Sequence, residues 1–132
     1  MKKLQDLIKD LTGITVEEQK INEYLASEKL DLQGANLEDA DLYRANLRSA
    51  DLEDAKLQWA KLINANLRFA YLKDTSLSFA DLRRSNLEYA CLRDANLSYT
   101  DLRGVNLSCA DLEGIKITKQ QLDQLIVIEE NE

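Results

Sequence analysis

Ala35-Asn36-Leu37-Glu38-Asp39 is followed without a break by Ala40-Asp41-Leu42-Tyr43-Arg44, and the same five-residue phrase runs through most of the chain. A leucine stands at every fifth position from Leu32 to Leu112, seventeen in succession. No ordinary element has that period. On an α-helix, steps of five advance the side chain by ~140°, so the leucines would visit every face. On a continuous strand, an odd period would send successive leucines to opposite sides of the sheet. A chain that turns one corner per repeat removes the conflict.

The rest of the phrase shows where the corner falls. Two residues before each leucine from Leu37 to Leu112 sits a small residue: twelve of sixteen are alanine, and the others are Thr75, Ser85, Thr100 and Val105. Residues two apart in an extended segment point the same way, so each Ala and its Leu face inward together. The residue between them faces outward and is polar at most sites, as at Asn36, Asp41, Asn46, Asp51, Asn66, Asp81, Asn86 and Asn96. From Leu to the next Ala is three residues, which breaks the alternation and demands a turn. The two residues after each Leu are therefore outward, at the corner.

Those outward residues carry a longer period. Asp54, Asp74 and Asp94 recur at twenty, and so do Trp59, Phe79 and Tyr99, with Phe69 and Tyr89 interleaved. Asn46, Asn66, Asn86 and Asn106 form another complete series. A repeat of five inside a repeat of twenty means four segments per coil. Like residues then stack one strand spacing apart, ~4.8 Å. The expected architecture is an all-β square solenoid, with Leu52, Leu72, Leu92, Ala50, Ala70 and Ala90 among its core residues.

Runs such as Ala35-Asn36-Leu37-Glu38-Asp39 and Ala80-Asp81-Leu82-Arg83-Arg84 resemble pentapeptide repeat proteins, pattern A-[DN]-L-x-x. The resemblance covers about residues 30–115 and is specific because it is sustained without a gap. It implies a right-handed quadrilateral β-helix with four pentapeptides per coil. The handedness comes from the resemblance and not from the residues. Residues 30–117 would then make between four and five coils.

The flanks read differently, as short α-helical caps. Leu4, Leu7, Ile8 and Leu11 sit at helical spacing up to Gly13, and Thr15 with Glu18 makes a capping box for a second helix. Thr118 and Gln121 form another box before Leu122, Leu125 and Ile126. The expected organisation is an N-terminal helical cap over 1–29, the repeat solenoid over 30–117, and a capping helix and tail over 118–132, in one folding unit. An open solenoid end exposes apolar core and unpaired strand edges, so the caps read as lids, with a monomer or an end-to-end dimer expected.

Composition excludes several classes of function. With no histidine among 132 residues, His-based acid–base chemistry and His metal ligands are absent. Four glycines are too scattered for a phosphate-binding loop. An interior filled by Leu and Ala leaves no cleft, so no enzyme, cofactor, metal or small-molecule substrate is expected. Charges run through the apolar N-terminal stretch from Met1 to Leu11, unlike a secretory signal, and no uncharged run approaches a membrane span. Cys91 and Cys109 occupy different repeat positions, so they read as free thiols and suggest a reducing cytoplasm.

Function is expected on the outward columns. Net charge is −7, and its distribution is uneven. The side of Leu32, Leu52, Leu72, Leu92 and Leu112 carries net −6, whereas the side of Leu42, Leu62, Leu82 and Leu102 carries net +2. The Asp54, Asp74, Asp94 column reads foremost as corner aspartates accepting turn amides, with an acidic docking strip or a weak Ca²⁺ site as the functional alternative. Trp59, Phe79 and Tyr99 read as a stacked ladder that could double as a partner-binding strip. The Asn46, Asn66, Asn86, Asn106 series reads as an amide ladder along the axis.

The reading that follows is a non-enzymatic protein-binding, scaffold or regulatory protein, with another protein as partner and no direct nucleic-acid or membrane binding. Some pentapeptide repeat proteins mimic DNA and act on DNA gyrase, which the resemblance offers as the alternative. The compact helix-capped form is similar to small cyanobacterial members of the family.

Overall fold

A computed structural model of the chain describes residues 30–123. The two N-terminal helices expected before Leu30, the Thr15–Glu18 box, and Leu125 and Ile126 lie outside the described residues. Parallel β-bridges join residues twenty apart, beginning with Asp31 to Asp51 and Asn36 to Lys56 and ending with Asn96 to Lys116. Four pentapeptides therefore make one coil. Each bridge is a single residue, not a strand of several, because the corner uses up the rest of the repeat.

The leucines and alanines point inward as the alternation requires. Every leucine from Leu32 to Leu97 is buried, and Leu52, Leu72 and Leu92 are fully so, together with Ala50, Ala70 and Ala90. Thr75, Ser85 and Thr100 replace alanine inside, and each hydroxyl donates to a carbonyl: Leu52 (2.8 Å), Leu82 (2.7 Å) and Leu77 (2.7 Å) respectively. A polar atom enters the core only with its partner in place, since an unpaired one would cost about 1–3 kcal/mol.

Corner geometry explains the outward half of the motif. The amide of each residue after the corner donates to the preceding Leu carbonyl, as from Ala80 to Leu77 at 3.0 Å. The second corner residue has positive φ at every repeat, from +58° to +63° at fourteen non-glycine sites and +69° to +75° at Gly34, Gly104 and Gly114. A bond across four residues with positive φ only at the third defines a type II turn.

The backbone donors of one repeat explain why Asn or Asp precedes twelve of the seventeen leucines. In the repeat of Leu82, Asp81 N–H bonds the Ala60 carbonyl of the previous coil, while Leu82 and Arg84 N–H bond Asp101 and Arg103 of the next. Ser85 N–H closes the turn onto Leu82. One donor remains, the Arg83 N–H, and Asp81 Oδ1 accepts it at 3.2 Å. The same bond, from a backbone N–H to the Oδ1 of the Asx residue two positions earlier, forms at all twelve Asn and Asp residues of this position. Every backbone donor of the Leu82 repeat is thereby satisfied.

This bond corrects two expectations. Asn46, Asn66, Asn86 and Asn106 do not form an amide ladder: each spends its carbonyl oxygen on its own turn, on Arg48, Arg68, Glu88 and Ser108 N–H. Nor do Asp54, Asp74 and Asp94 accept the turn amides. They occupy the positive-φ corner position itself, and in the repeat of Asp54 the amide is taken by Asp51, three positions earlier; Tyr71 and Cys91 hold that place before Asp74 and Asp94.

Beyond Ile117 the coil stops and a helix begins at 119–123. The predicted box is present, with Gln121 N–H donating to Thr118 Oγ1 (3.2 Å) and Thr118 N–H to Gln121 Oε1 (2.8 Å). Gln121 does more than cap the helix. Its Nε2 donates to the carbonyls of Leu97 (2.8 Å) and Thr100 (2.9 Å), and its Oε1 accepts Tyr99 N–H (3.2 Å). One buried side-chain amide thus takes the place that the backbone of another coil would fill on that side.

Candidate functional site: the outward columns

Four corners run the length of the coil, and each has its own chemistry. One column is Gly34, Asp54, Asp74, Asp94 and Gly114, all with positive φ. Glycine adopts this conformation freely, and Asp tolerates it better than other side chains. Local backbone preference therefore accounts for the aspartates without a ligand. Asp94 lies directly over Gly114, where an added Cβ would collide with the carboxyl. No group of acidic side chains or cysteines among the described residues converges as a cation site would require.

The next column holds Asp39, Trp59, Phe79 and Tyr99. Aromatic residues have no intrinsic preference for positive φ, so their presence needs compensation. Stacking supplies it. Trp59 and Phe79 lie with ring centroids 4.6 Å apart and planes within 7°, and Phe79 and Tyr99 at 5.0 Å and 7°. Such a pair contributes about 0.5–1.5 kcal/mol beyond the area it buries. The rings remain 58%, 45% and 65% exposed. Their faces are used by one another, and their edges face solvent.

Phe69 and Tyr89 repeat the arrangement on the opposite corner at 5.0 Å and 4°. There the guanidinium groups of Arg48 and Arg68 lie 5.1 and 5.5 Å from the Phe69 centroid, and Arg68 Nε is 3.3 Å from Glu88. Cation–π contacts and an ion pair enclose that ladder. The Trp59 ladder has no such cover among the described residues.

The remaining corner, Arg44, Asn64, Arg84 and Gly104, borders the face of Leu42, Leu62, Leu82 and Leu102. Arg83 and Arg103 on this face each fork onto the aspartate two residues earlier, with Nη2 to Oδ2 distances of 2.6 Å in both. The Arg83 guanidinium holds the Asp81 carboxyl below the ordinary carboxylate range against a smaller opposing effect of burial, and Arg103 does the same to Asp101. Across the coil, Arg93 bridges Asp111 (2.7 Å) and Glu113 (2.8 Å) on the acidic face. Asp111 is also lowered, first by the Glu113 backbone N–H and then by Arg93.

The expected residues thus fall into two separate sets. Trp59, Phe79 and Tyr99 form one continuous exposed strip, while Asp54, Asp74 and Asp94 stand on the neighbouring corner, across the face of Leu77. The bridging role of Gln121 was hidden in sequence behind its capping box, because the carbonyls that it meets lie more than twenty residues away. Cys91 and Cys109 are both free thiols, as their unlike repeat positions suggest. No helix among the described residues is long and apolar enough to cross a membrane.

With this geometry in place, comparison with known proteins defines the class. The model of pentapeptide repeats matches in eight copies over residues 29–58, 50–88, 60–98 and 85–119. The chain belongs to the pentapeptide repeat family, and its solved relatives give it the right-handed quadrilateral β-helix. Rfr23, a pentapeptide repeat protein from the cyanobacterium Cyanothece, is 42% identical with a TM-score of 0.67, over 67% of this chain and 60% of that one. HetL of the cyanobacterium Nostoc, involved in regulation of heterocyst differentiation, is 34% identical with a TM-score of 0.36, over 64% of this chain and 50% of that one. A pentapeptide repeat protein of the Arabidopsis thaliana thylakoid lumen is 25% identical with a TM-score of 0.42, over 76% and 77%. The chain therefore spans 60% of the length of the Rfr23 structure. A search of curated proteins finds no match.

Proposed function

We propose that this protein is a non-enzymatic binding or regulatory scaffold, a helix-capped solenoid of between four and five coils, that docks another protein through the Trp59, Phe79, Tyr99 corner. The carrying observation is three large rings stacked in one strip, 45–65% accessible and without the arginine contacts that lie over Phe69 on the opposite corner, where Phe69 and Tyr89 are 43% and 50% exposed. Trp and Tyr are over-represented among residues that dominate binding energy, and a pre-stacked ladder loses little side-chain freedom on association. Two free thiols support a reducing compartment such as the cytoplasm. A regulatory role accords with what HetL is described as doing in Nostoc.

Affinity capture from the native cell, comparing the parent with a Trp59→Ala/Phe79→Ala/Tyr99→Ala variant of unchanged circular dichroism, tests the site. Loss of one captured protein in the variant supports it. Identical captured sets would overturn the aromatic corner as a docking strip. The alternative, DNA mimicry toward gyrase, is weaker on charge grounds. A DNA mimic presents acidity around its girth, whereas here net −6 on one face lies across the coil from net +2. Inhibition of gyrase supercoiling by the purified protein would reverse that preference.

A further inference from the structure

The basic face contains an open groove of about 480 Å³ lined by Ile63, Arg83, Arg84, Arg103 and Gly104. Its size falls within the range of small-molecule sites. Three of its five lining residues are arginines, and they are held in two ways. Arg83 and Arg103 sit at the same repeat position one coil apart, so their rungs are ~4.8 Å from each other. Arg83 gives Nε (2.8 Å) and Nη2 (2.6 Å) to Asp81, and Arg103 gives Nε (2.9 Å) and Nη2 (2.6 Å) to Asp101.

Both aspartates are in turn anchored to the backbone N–H of their own arginine at 3.2 Å. Each guanidinium is therefore fixed along one edge, and its Nη1 donors have no partner among the described residues. Arg84 is different. It has no carboxylate partner among the described residues, and its stem lies over Gly104, where an added Cβ would come within 3.2 Å of Arg84 Cγ. Gly104 replaces the side chain that the other coils place on this corner, and its absence opens the floor of the groove.

We propose that this groove binds a small organic oxyanion, a phosphate monoester or a carboxylate. Arg84 is the direct ligand, Arg83 and Arg103 are pre-oriented donors, and Ile63 contacts the apolar body of the molecule. Guanidinium groups suit this task because their planar forks match oxyanion geometry, and groups already fixed by aspartates lose little freedom on binding. Three arginines against two aspartates leave the site net +1, so the affinity expected is weak, about millimolar. A nucleic-acid strand is disfavoured by Asp81 and Asp101 on the same face and by net −7 overall.

The test is an NMR titration of the whole chain at low salt with inorganic phosphate, phenyl phosphate and phenylacetate, following the Gly104 amide and the arginine Nε–H signals. The expected result is saturable shifts at Gly104, Arg83, Arg84 and Arg103, with phenyl phosphate tighter than inorganic phosphate because of Ile63. Arg84→Gln should weaken binding about ten-fold and Arg84→Lys should recover part of it, the fork being lost but not the charge. Arg93→Gln on the acidic face should change nothing. The relative affinities of phenyl phosphate and phenylacetate decide which oxyanion the site takes. Shifts that never saturate, shifts equally strong at Arg48, Arg68 and Arg93, or unchanged affinity in Arg84→Gln would overturn the proposal. Docking at the Trp59 corner would stand or fall separately, since none of its rings lines the groove.

Discussion

Leu72 and Leu107 hold the same place in the repeat but live in different surroundings. Leu72 is fully buried, and its N–H bonds the Cys91 carbonyl of the next coil at 2.7 Å. Leu107 is only partly buried against the core, and its N–H has no acceptor among the described residues. The same contrast separates Leu37–Leu97 from Leu102, Val105, Leu107, Leu112 and Ile117. A pentapeptide is thus completed by the coil that follows it. Burial and hydrogen bonding here are nearest-neighbour properties, as expected of a quasi-one-dimensional fold.

The sharpest way to break this comparison is a charge in the middle. Leu72→Lys places an ammonium where no partner exists, and should cost more than about 4 kcal/mol, enough to abolish the folded baseline in circular dichroism. A mutant melting within a degree or two of the parent would refute the inward assignment. At the other end, Gln121→Ala strips partners from the Leu97 and Thr100 carbonyls and the Tyr99 N–H, and should cost about 2–3 kcal/mol by denaturant titration. An unchanged midpoint would mean that the end is not sealed by this side chain.

A smaller effect is expected at the corners. Phe79 is stacked on both sides and Tyr99 on one among the described residues, so Phe79→Ala should cost about 1–2 kcal/mol and Tyr99→Ala about half as much. Equal losses would argue that the rings act singly. The smallest effect concerns acid. Asp81 and Asp101 have lowered carboxyl values in the folded protein. Their pairs contribute fully above the unfolded value of about 3.9, and the contribution fades as pH falls through the lowered folded values. An Asp81→Asn/Asp101→Asn variant should therefore lose less melting temperature than the parent on acidification below about pH 4.

Much of the coil was legible because it is periodic. Seventeen leucines with alanines two residues before them could only face one interior, and the twenty-residue spacing of Trp59, Phe79 and Tyr99 placed them in one stack. What stayed hidden depended on backbone conformation or distant partners. Nothing in the letters shows that Asp54, Asp74 and Asp94 sit at positive φ, so their recurrence suggested a hydrogen-bonding role that Asp51 performs instead. The groove beside Gly104 was equally invisible, since it needs Ile63, Arg84 and Gly104 brought together from successive coils.

Native-state amide hydrogen exchange tests the central claim most directly, because it reads the coil without altering it. The Leu72 amide, bonded into the next coil, is expected to exchange only through global unfolding, and the Leu107 amide, with no acceptor among the described residues, orders of magnitude faster. Equal protection at the two leucines would contradict an architecture in which each repeat is completed by the coil that follows.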